Sequence, residues 1–238
     1  MNAVISSKDS PDDRAALERL LHERHSCRAF RAERVDRATI ESIFTLAQRS
    51  ASWCNSQAWQ VTIASGAAVE RFRQALLDAA SGGSKSGIGD GGDFPFPTAY
   101  TGIYQDRRRE CGFQLYEAVG VKRGDREGYG RQTLENFRLF GAPHAAILTS
   151  DPDLGVYGAI DVGGYVQVLL LAMQAHGVAA IPQAALAGYS ALVKSLLGIP
   201  VERKVVCGVS FGFEDTTHRA NSYRTMRASI DDVVSWVE

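Results

Sequence analysis

The chain has 238 residues, and 45% of them are hydrophobic, which is enough to bury a sizeable core. Its 26 lysines and arginines nearly balance its 27 aspartates and glutamates, so the net charge of −1 provides no general field that would attract nucleic acid or an anionic membrane. Any anion must therefore be bound by a local cluster of side chains.

The N-terminus and the cysteines bear on domain organisation and location. Residues 1–10 contain one lysine and no apolar run of signal-peptide length, so we predict a flexible arm followed by one domain at 11–238. The four cysteines form no Cys-x-x-Cys pair, and the five histidines lack metal-ligand spacing. We therefore predict no metal site and a cytoplasmic protein with reduced thiols.

The first third of the domain is predicted to contain three helices and one strand. A serine followed by a proline is typical of a helix start and predicts a helix over 10–24, which places Arg24 at its C-terminal end. Apolar residues at helical spacing predict a second helix over 36–49. The β-branched and aromatic residues at 59–64 predict a strand, and a helix over 69–79 follows.

Residues 81–98 break all periodicity, because this segment is rich in glycine, serine and proline. Loops of this length inside compact domains are often lids or binding loops. We predict a mobile flap here, and the alternative is a solvated surface loop.

The rest of the chain alternates between helices and strands, ending in a short amphipathic helix predicted over 228–237. This alternation predicts an α/β or α+β layer architecture, in which helices cover a central sheet. The remaining predicted elements are helices near 104–119, 127–139 and 159–176, and strands at 145–149, 178–182 and 204–211.

Two glycine-containing motifs match signatures of known enzyme classes, but the secondary structure predicted around each motif is not the one that the signature requires. Gly208 to Gly212 matches the G-x-S-x-G turn of hydrolases, which requires a strand leading directly into a helix, and no helix is predicted there. Gly87 to Gly92 matches G-x-G-x-x-G, but a loop precedes it and prolines follow. Tight packing explains the first motif better, and a flexible loop explains the second.

Two short patches point to a nucleotide with a planar ring. The segment from Arg24 to Arg28 offers two guanidinium groups and a hydroxyl, which can bind a phosphate dianion through charge-assisted hydrogen bonds. The segment from Ser52 to Trp59 offers amides beside aromatic faces, which suit a planar ring with polar edges. Together the two patches indicate flavin binding.

Several separated motifs then occur in an order that resembles the FMN-dependent nitroreductase family. They are the Arg-His-Ser-x-Arg-x-Phe segment at 24–30, the Ser-x-x-Asn-x-Gln-x-Trp patch at 52–59, Ala-Pro-His at 142–144, the long helix, and the basic segment at 221–227. The resemblance spans nearly the whole chain beyond its first dozen residues. It implies a nitroreductase-like α+β fold and an obligate homodimer that binds FMN at the subunit interface.

The resemblance also implies roles for individual residues. Arg24, Ser26 and Arg227 would hold the phosphate; Arg28 and Arg224 are further candidates, with ordinary surface salt bridges as the alternative. Ser52 and Asn55 would reach the flavin of the second subunit, while Gln57 could instead brace its own loop. The full set of candidate cofactor-binding residues is Arg24, His25, Ser26, Arg28, Ser52, Asn55, Asn136, Gln183, Ala184, Arg224 and Arg227.

The ring end of the flavin would be contacted by two further segments. Asn136, with Arg138 close by, occupies the place of the family's polar residues at the pyrimidine edge, and a polar residue on a helix face is the alternative. Gln183 and Ala184 occupy the place where the family presents a backbone N–H to the ring nitrogen that accepts hydride. Alanines at 58, 184 and 185 depart from the usual family residues and leave the subfamily and the acceptor open.

The implied activity is the oxidation of NADH or NADPH and the reduction of a nitroaromatic or quinone-like acceptor, by hydride transfer in a ping-pong sequence. The flavin would carry the chemistry, and no protein side chain would be catalytic. Alternatives with the same fold are a flavin-fragmenting or reductive dehalogenating enzyme and a non-catalytic FMN-binding sensor. Aromatic side chains that could stack on the acceptor are Trp53, Phe94, Phe96 and Tyr100.

Overall fold

The computed structural model describes residues 11–82 and 91–238. A four-stranded antiparallel sheet with the strand order β1-β2-β4-β3 forms the centre. The strands are β1 (Gln60–Ser65), β2 (His144–Ser150), β3 (Ala179–Gln183) and β4 (Lys204–Gly212). The helices are α1 (Pro11–Glu23), α2 (Arg37–Ala47), α3 (Ala67–Ser81), α4 (Gly102–Ala118), α5 (Arg126–Leu134), α6 (Gly155–Ala175) and α7 (Ser190–Leu197).

Helices cover both faces of the sheet, and the burial of β2 on both of its sides shows this. Every residue of β2 is buried, because alternate side chains point into two different apolar clusters. Ala146 and Leu148 belong to the cluster formed with α2 and α6. Ala145 and Ile147 belong to the cluster formed with α3 and α7. The predicted α+β fold is therefore confirmed.

The helix α6 is the longest and most apolar element. By length and composition alone, Pro152–Ala175 could cross a membrane. Its inner side chains, among them Val162, Leu169 and Met173, are fully buried against the sheet. The helix therefore serves as a core element of this fold, although Tyr157 and Ile160 near its start remain exposed.

The prediction of a helix over 228–237 was wrong. The chain forms only a three-residue 3-10 turn there, Ile230–Asp232. The apolar side chains that suggested an amphipathic helix stay exposed, including Trp236 and Val237. A helix this short is stable only when its apolar face packs against something. Val233 borders a pocket shared with α4, but its side chain, like those of Trp236 and Val237, stays exposed.

The structure differs from the predicted elements at two further places, the end of α5 and the presence of α7. The helix α5 ends at Leu134 rather than near 139, because the chain turns through Leu139 and Phe140, both buried and both with positive φ. The helix α7 was not predicted at all. It follows directly on a short 3-10 helix at Ala184–Tyr189.

The predicted flap at 81–98 lies partly outside the described residues, which resume at Gly91. Beyond that point the chain is anchored to the core. The Asp93 carboxylate accepts hydrogen bonds from Lys194 Nζ at 2.9 Å and from the backbone N–H of Val205 at 2.8 Å. Phe96 packs against the apolar cluster of α3 and α7. The prediction of a mobile flap is therefore wrong for Asp93 to Phe96. The G-x-G-x-x-G match falls mostly outside the described residues.

The G-x-S-x-G match lies entirely within β4. Ser210 is fully buried, its hydroxyl donates a hydrogen bond to Gln183 Oε1, and the chain leaves the strand without entering a helix. A Cβ atom at Gly208 would collide with Leu186. Small residues are thus required here by close packing, and Ser210 is in no position to act as an exposed nucleophile.

Candidate functional site

A cleft of about 230 Å³ opens at the C-terminal end of α1. Two stretches that are distant in sequence form most of it, the end of α1 with the residues that follow and a segment near the C-terminus, and α4 adds one residue. The residues that line the cleft are Leu21, His22, Arg24, His25, Ser26, Arg28, Cys111, Tyr223, Arg224, Thr225 and Arg227. The structure thus brings together all five residues proposed from the sequence for the phosphate, with His25 beside them.

Backbone pairing and one buried amide hold the two segments in place. Ser26 forms a bridge with Ala180 of β3, which fixes the first segment to the edge of the sheet. The buried Asn221 accepts a hydrogen bond from the backbone N–H of Arg28 at 2.7 Å and donates to the carbonyl of Ala29 at 3.0 Å. The side chain of Asn221 therefore joins the two walls of the cleft.

The cleft is strongly electropositive. Burial lowers the pKa of Arg24, and the nearby charge of Arg227 lowers it further. Within the described ranges, none of the guanidinium groups of Arg24, Arg28, Arg224 and Arg227 lies within 4.0 Å of a carboxylate, so the surface salt bridges considered for Arg28 and Arg224 are not formed. Guanidinium groups that converge without a counter-ion are suited to a phosphate.

His25 lines the cleft, but its ring is held by the protein. Its Nε2 lies 3.1 Å from Glu214 Oε1, and its Nδ1 lies 3.1 Å from the carbonyl oxygen of Glu23. The imidazole therefore fixes the turn after α1, next to Arg24.

The other candidate segment lies farther along β3. Gln183 comes three residues after Ala180, about 10 Å along the strand. Its buried side chain donates a hydrogen bond to the carbonyl of Asn136 at 2.8 Å, so it holds the turn that carries Asn136. Ala184 is exposed and begins the 3-10 helix, whose first backbone N–H groups have no acceptor within the helix. Arg138, in contrast, pairs with Glu135 at 3.1 Å.

The amide-rich loop is built on the N-terminal half of α6. The Asp161 carboxylate accepts hydrogen bonds from the backbone N–H of Trp53 at 3.2 Å and from the hydroxyl of Ser56 at 3.3 Å. Gln57 does brace its own loop, since its side chain donates to the carbonyl of Asn55 at 3.3 Å. Cys54, Asn55 and Gln57 all have positive φ, a cost that non-glycine residues bear mostly at functional sites.

The loop and the cleft lie at opposite ends of α6. Gln174, near the end of the helix, lines a pocket that adjoins the cleft and shares His25 with it. Asp161, which holds the loop, precedes Gln174 by thirteen residues and so lies about 20 Å away along the helix axis. Neither Ser52 nor Asn55 lines the cleft of its own chain.

The four aromatic candidates are dispersed. Phe94 lies against Lys204, whose Nζ is 5.5 Å from the ring centroid, and Phe96 packs against the core, so packing accounts for both rings. Tyr100 contacts Arg108 and is partly exposed. Trp53 is 59% exposed and makes an edge contact with Tyr157 at 4.4 Å between ring centroids.

Sequence reasoning missed three residues that shape these sites. Asn221 and Tyr223 lie in the basic C-terminal segment. The arginines of that segment suggested phosphate binding, whereas its uncharged polar residues suggested no particular role. Asp161 could not be identified from the sequence, because a single carboxylate in an apolar helix has no evident role by itself. Its role depends on the loop that hydrogen-bonds to it.

Comparisons with known proteins identify the family of this chain. A model of the nitroreductase family matches residues 21–213. Nitroreductase NfnB of Mycolicibacterium smegmatis (strain ATCC 700084 / mc(2)155) is 37% identical over 218 residues, which are 91% of each chain. The 4-nitrobenzoate reductase of Nocardioides sp. (strain LMS-CY) is 30% identical over 229 residues, which cover 93% of this chain and 90% of that protein.

A solved structure extends the likeness to three dimensions. The crystal structure of the FMN-dependent nitroreductase NfnB from Mycobacterium smegmatis in complex with NADPH has a TM-score of 0.88 at 36% identity, and the match covers 95% of this chain and 100% of that chain. The resemblance inferred from the order of the motifs is confirmed, and the chain belongs to the nitroreductase family.

Proposed function

We propose that this protein is an FMN-dependent oxidoreductase that uses NADPH or NADH to reduce nitroaromatic compounds. The observation that carries the proposal is the arrangement along β3. A cationic cleft lies beside Ala180, and the exposed residue Ala184 lies directly after the end of the same strand, at the start of the 3-10 helix. One extended nucleotide could occupy both, with its phosphate in the cleft and its ring near Ala184.

The residues present fit this cofactor. Arg24 and Arg227 line the same cleft, and the charge of Arg227 lowers the pKa of Arg24, so a bound anion would offset the repulsion between them. The hydroxyl of Ser26 is available on the same wall of the cleft. On the ring side, Gln183 holds the backbone of Asn136, whose side chain would be a candidate to bind the polar edge of the ring.

In this proposal the protein chain binds and orients the flavin and the substrates, and the cofactor supplies the redox chemistry. Bound FMN supplies the capacity to accept hydride from a nicotinamide donor and to pass electrons to an acceptor, which gives a ping-pong sequence. The arginines neutralise the phosphate, and the Ala184 N–H offers a hydrogen bond to the ring. No side chain is required as a general acid or base in this scheme.

The relatives support the acceptor class. NfnB of Mycobacterium smegmatis is FMN-dependent and was solved with NADPH, and the Nocardioides protein is named for reducing 4-nitrobenzoate. They favour nitroreduction over dehalogenation and over a sensor role. Quinones remain part of the proposed acceptor range, and a cytoplasmic location without nucleic-acid or membrane partners is part of the same proposal.

We further propose that the protein acts as a homodimer whose active sites are shared. The separation of about 20 Å along α6 supports this, because Ser52 and Asn55 cannot readily complete the cleft of their own chain. Exposed apolar side chains on α6 and on the C-terminal segment, among them Ile160 and Trp236, offer surface for a second copy. Each site would then take its arginines from one subunit and its amide-rich loop from the other.

A flavin-binding and turnover experiment tests the proposed function. The purified apoprotein is titrated with FMN, and the loaded protein is then assayed with NADPH and NADH against 4-nitrobenzoate and a quinone. We expect a yellow complex and parallel lines in double-reciprocal plots, as in a ping-pong sequence. An apoprotein that takes up no FMN would exclude the proposal.

A further inference from the structure

Asp161 is the only charged residue of α6, and it binds a loop instead of forming an ion pair. Both of its carboxylate oxygens lie 3.2 Å from the backbone nitrogen of Trp53, and one of them also accepts a hydrogen bond from the Ser56 hydroxyl at 3.3 Å. In the described parts of the chain, no lysine, arginine or histidine nitrogen lies within 4.0 Å of this carboxylate. Its contacts there are thus directed to the amide-rich loop at 52–59.

The bonds to Asp161 are made on either side of a strained turn. Cys54 and Asn55 have φ values of 51° and 56°. Residues other than glycine rarely adopt this left-handed backbone unless the surrounding structure holds them in it. Asp161 ties Trp53 and Ser56 to the helix, so the strained turn between them is fixed at both ends.

The strained turn presents polar groups that its own chain leaves available. Asn55 is exposed, and its side-chain amide forms no hydrogen bond to any of the described residues. The hydroxyl oxygen of Ser52 accepts a hydrogen bond from the backbone N–H of Gln57 at 3.0 Å, so its own proton can be donated elsewhere. The loop lies at the far end of α6 from the cleft of its own chain, so these groups face a ligand held by something other than that cleft.

We propose that Asp161 is a positioning residue for the flavin site of the partner subunit. Its carboxylate holds the strained turn in the shape in which Ser52 and Asn55 reach the FMN bound by the arginines of the other chain. This inference rests on the proposed function, because it needs FMN in the cleft and sites shared between two subunits. Its distinctive feature is that loss of Asp161 from one chain affects the flavin of the other.

Three variants test whether Asp161 affects flavin binding, with quenching of flavin fluorescence as the readout. Asp161→Asn keeps the size of the side chain but replaces one acceptor oxygen with a donor, and FMN binding by the homodimer should weaken about 3- to 10-fold. Ser56→Ala removes one of the bonds without altering α6 and should weaken binding by a smaller factor. Asp153→Asn, the same change at an exposed position just before α6, is the matched control and should bind FMN as the unaltered protein does.

Two mixed dimers test whether the effect passes to the other subunit. The first pairs an Asp161→Asn chain with an Arg24→Ala chain, and the second pairs a chain carrying both substitutions with an unaltered chain. Both dimers contain the same substitutions, so a general loss of stability affects them alike. If Asp161 acts on the partner's site, the first dimer has one intact site and binds one FMN with unaltered affinity, whereas the second dimer has none.

The outcomes separate this inference from the proposed function. The reverse pattern, with the intact site in the second dimer, would assign Asp161 to the site of its own chain and overturn the inference. Equal FMN binding by the two mixed dimers, or unchanged FMN affinity in both Asp161→Asn and Ser56→Ala, would also overturn it and leave FMN-dependent activity standing. Failure of the unaltered protein to bind FMN would overturn both.

Discussion

Arg227 lies close enough to Arg24 to lower its pKa, although the two residues stand near opposite ends of the chain. Such repulsion between like charges is normally avoided in folded proteins unless a ligand offsets it. The fold holds the pair in place through Asn221, which bonds to the backbone at residues 28 and 29. The cleft is thus organised for an anion before any anion arrives.

Replacing Arg24 by alanine should weaken FMN retention without changing the preference between acceptors. The loss of charge-assisted hydrogen bonds to the phosphate costs about 1.5–3 kcal/mol, which corresponds to roughly 10- to 100-fold weaker binding. Flavin content after extensive dialysis measures the effect. Arg14→Ala serves as the control, because Arg14 forms an exposed ion pair with Glu18 on the same helix. Full FMN occupancy in Arg24→Ala would show that the cleft is assigned wrongly.

Co-expression of two variants that each retain flavin poorly should restore flavin content and activity in part if the active sites are shared between subunits. An Arg24→Ala subunit still has its own Asn55, and an Asn55→Ala subunit still has its own Arg24. In a mixed dimer one site then receives both intact residues, and the other receives neither.

The mixed dimer can be isolated with two different affinity tags. We expect about half of the flavin content and activity of the unaltered dimer. If Arg24 and Asn55 of the same chain served one site, the mixture would be no more active than the two separate variants.

Stability should fall as the pH drops below about 6.5, in part through His144. Its Nε2 accepts a hydrogen bond from the backbone N–H of Val35 at 3.0 Å, so the neutral ring is required. Burial lowers the pKa of His144 from its ordinary value of 6.5, and the charge of Arg34 lowers it further. Between the two pKa values the unfolded chain binds a proton that the folded chain does not, so acid favours unfolding.

Urea denaturation at a series of pH values measures this dependence. The stabilisation is complete above the unfolded pKa and is lost as the pH falls toward the folded one. A His144→Gln variant should be less stable at neutral pH but should show a flatter decline between pH 7 and 5. An equally steep decline in that variant would assign the pH dependence to other groups.

The four cysteines should differ sharply in their reaction with thiol reagents. Cys27 is fully buried, and burial raises its pKa to about 12, so it should react only after unfolding. Cys54 is exposed and should react first. Cys111 lines the cleft, so FMN should slow its labelling. Peptide mapping after timed alkylation, with and without FMN, follows each site, and rapid labelling of Cys27 in the native protein would contradict the packing described for it.

The sequence predicted the strands and long helices well, because the periodicity of their apolar residues reflects which faces they bury. It failed where stability comes from contacts distant in sequence. Leu139 and Phe140 adopt positive φ because their side chains are buried, and nothing local in the chain signals that turn. At 228–237 the apolar residues do recur at helical spacing, but their side chains stay exposed, so burial does not stabilise a helix there.

The candidate site was predictable to a similar degree. The arginines could be identified because a cluster of charges in a short motif can be recognised from the sequence alone. The family resemblance then implied that they bind the same phosphate group. Asp161 and Tyr223 could not be identified, since the role of each depends on which neighbours the fold brings to it. Gln183 was expected to present its backbone, whereas its side chain also proves to hold the turn at Asn136.

The closure of the cleft by Asn221 has a consequence for folding. One wall of the cleft follows α1, and the other comes from a segment beyond β4, the last strand of the sheet. The sheet and its helices can therefore form while the cleft still lacks one wall, so a chain truncated directly after β4 should keep its core and lose the cationic cleft.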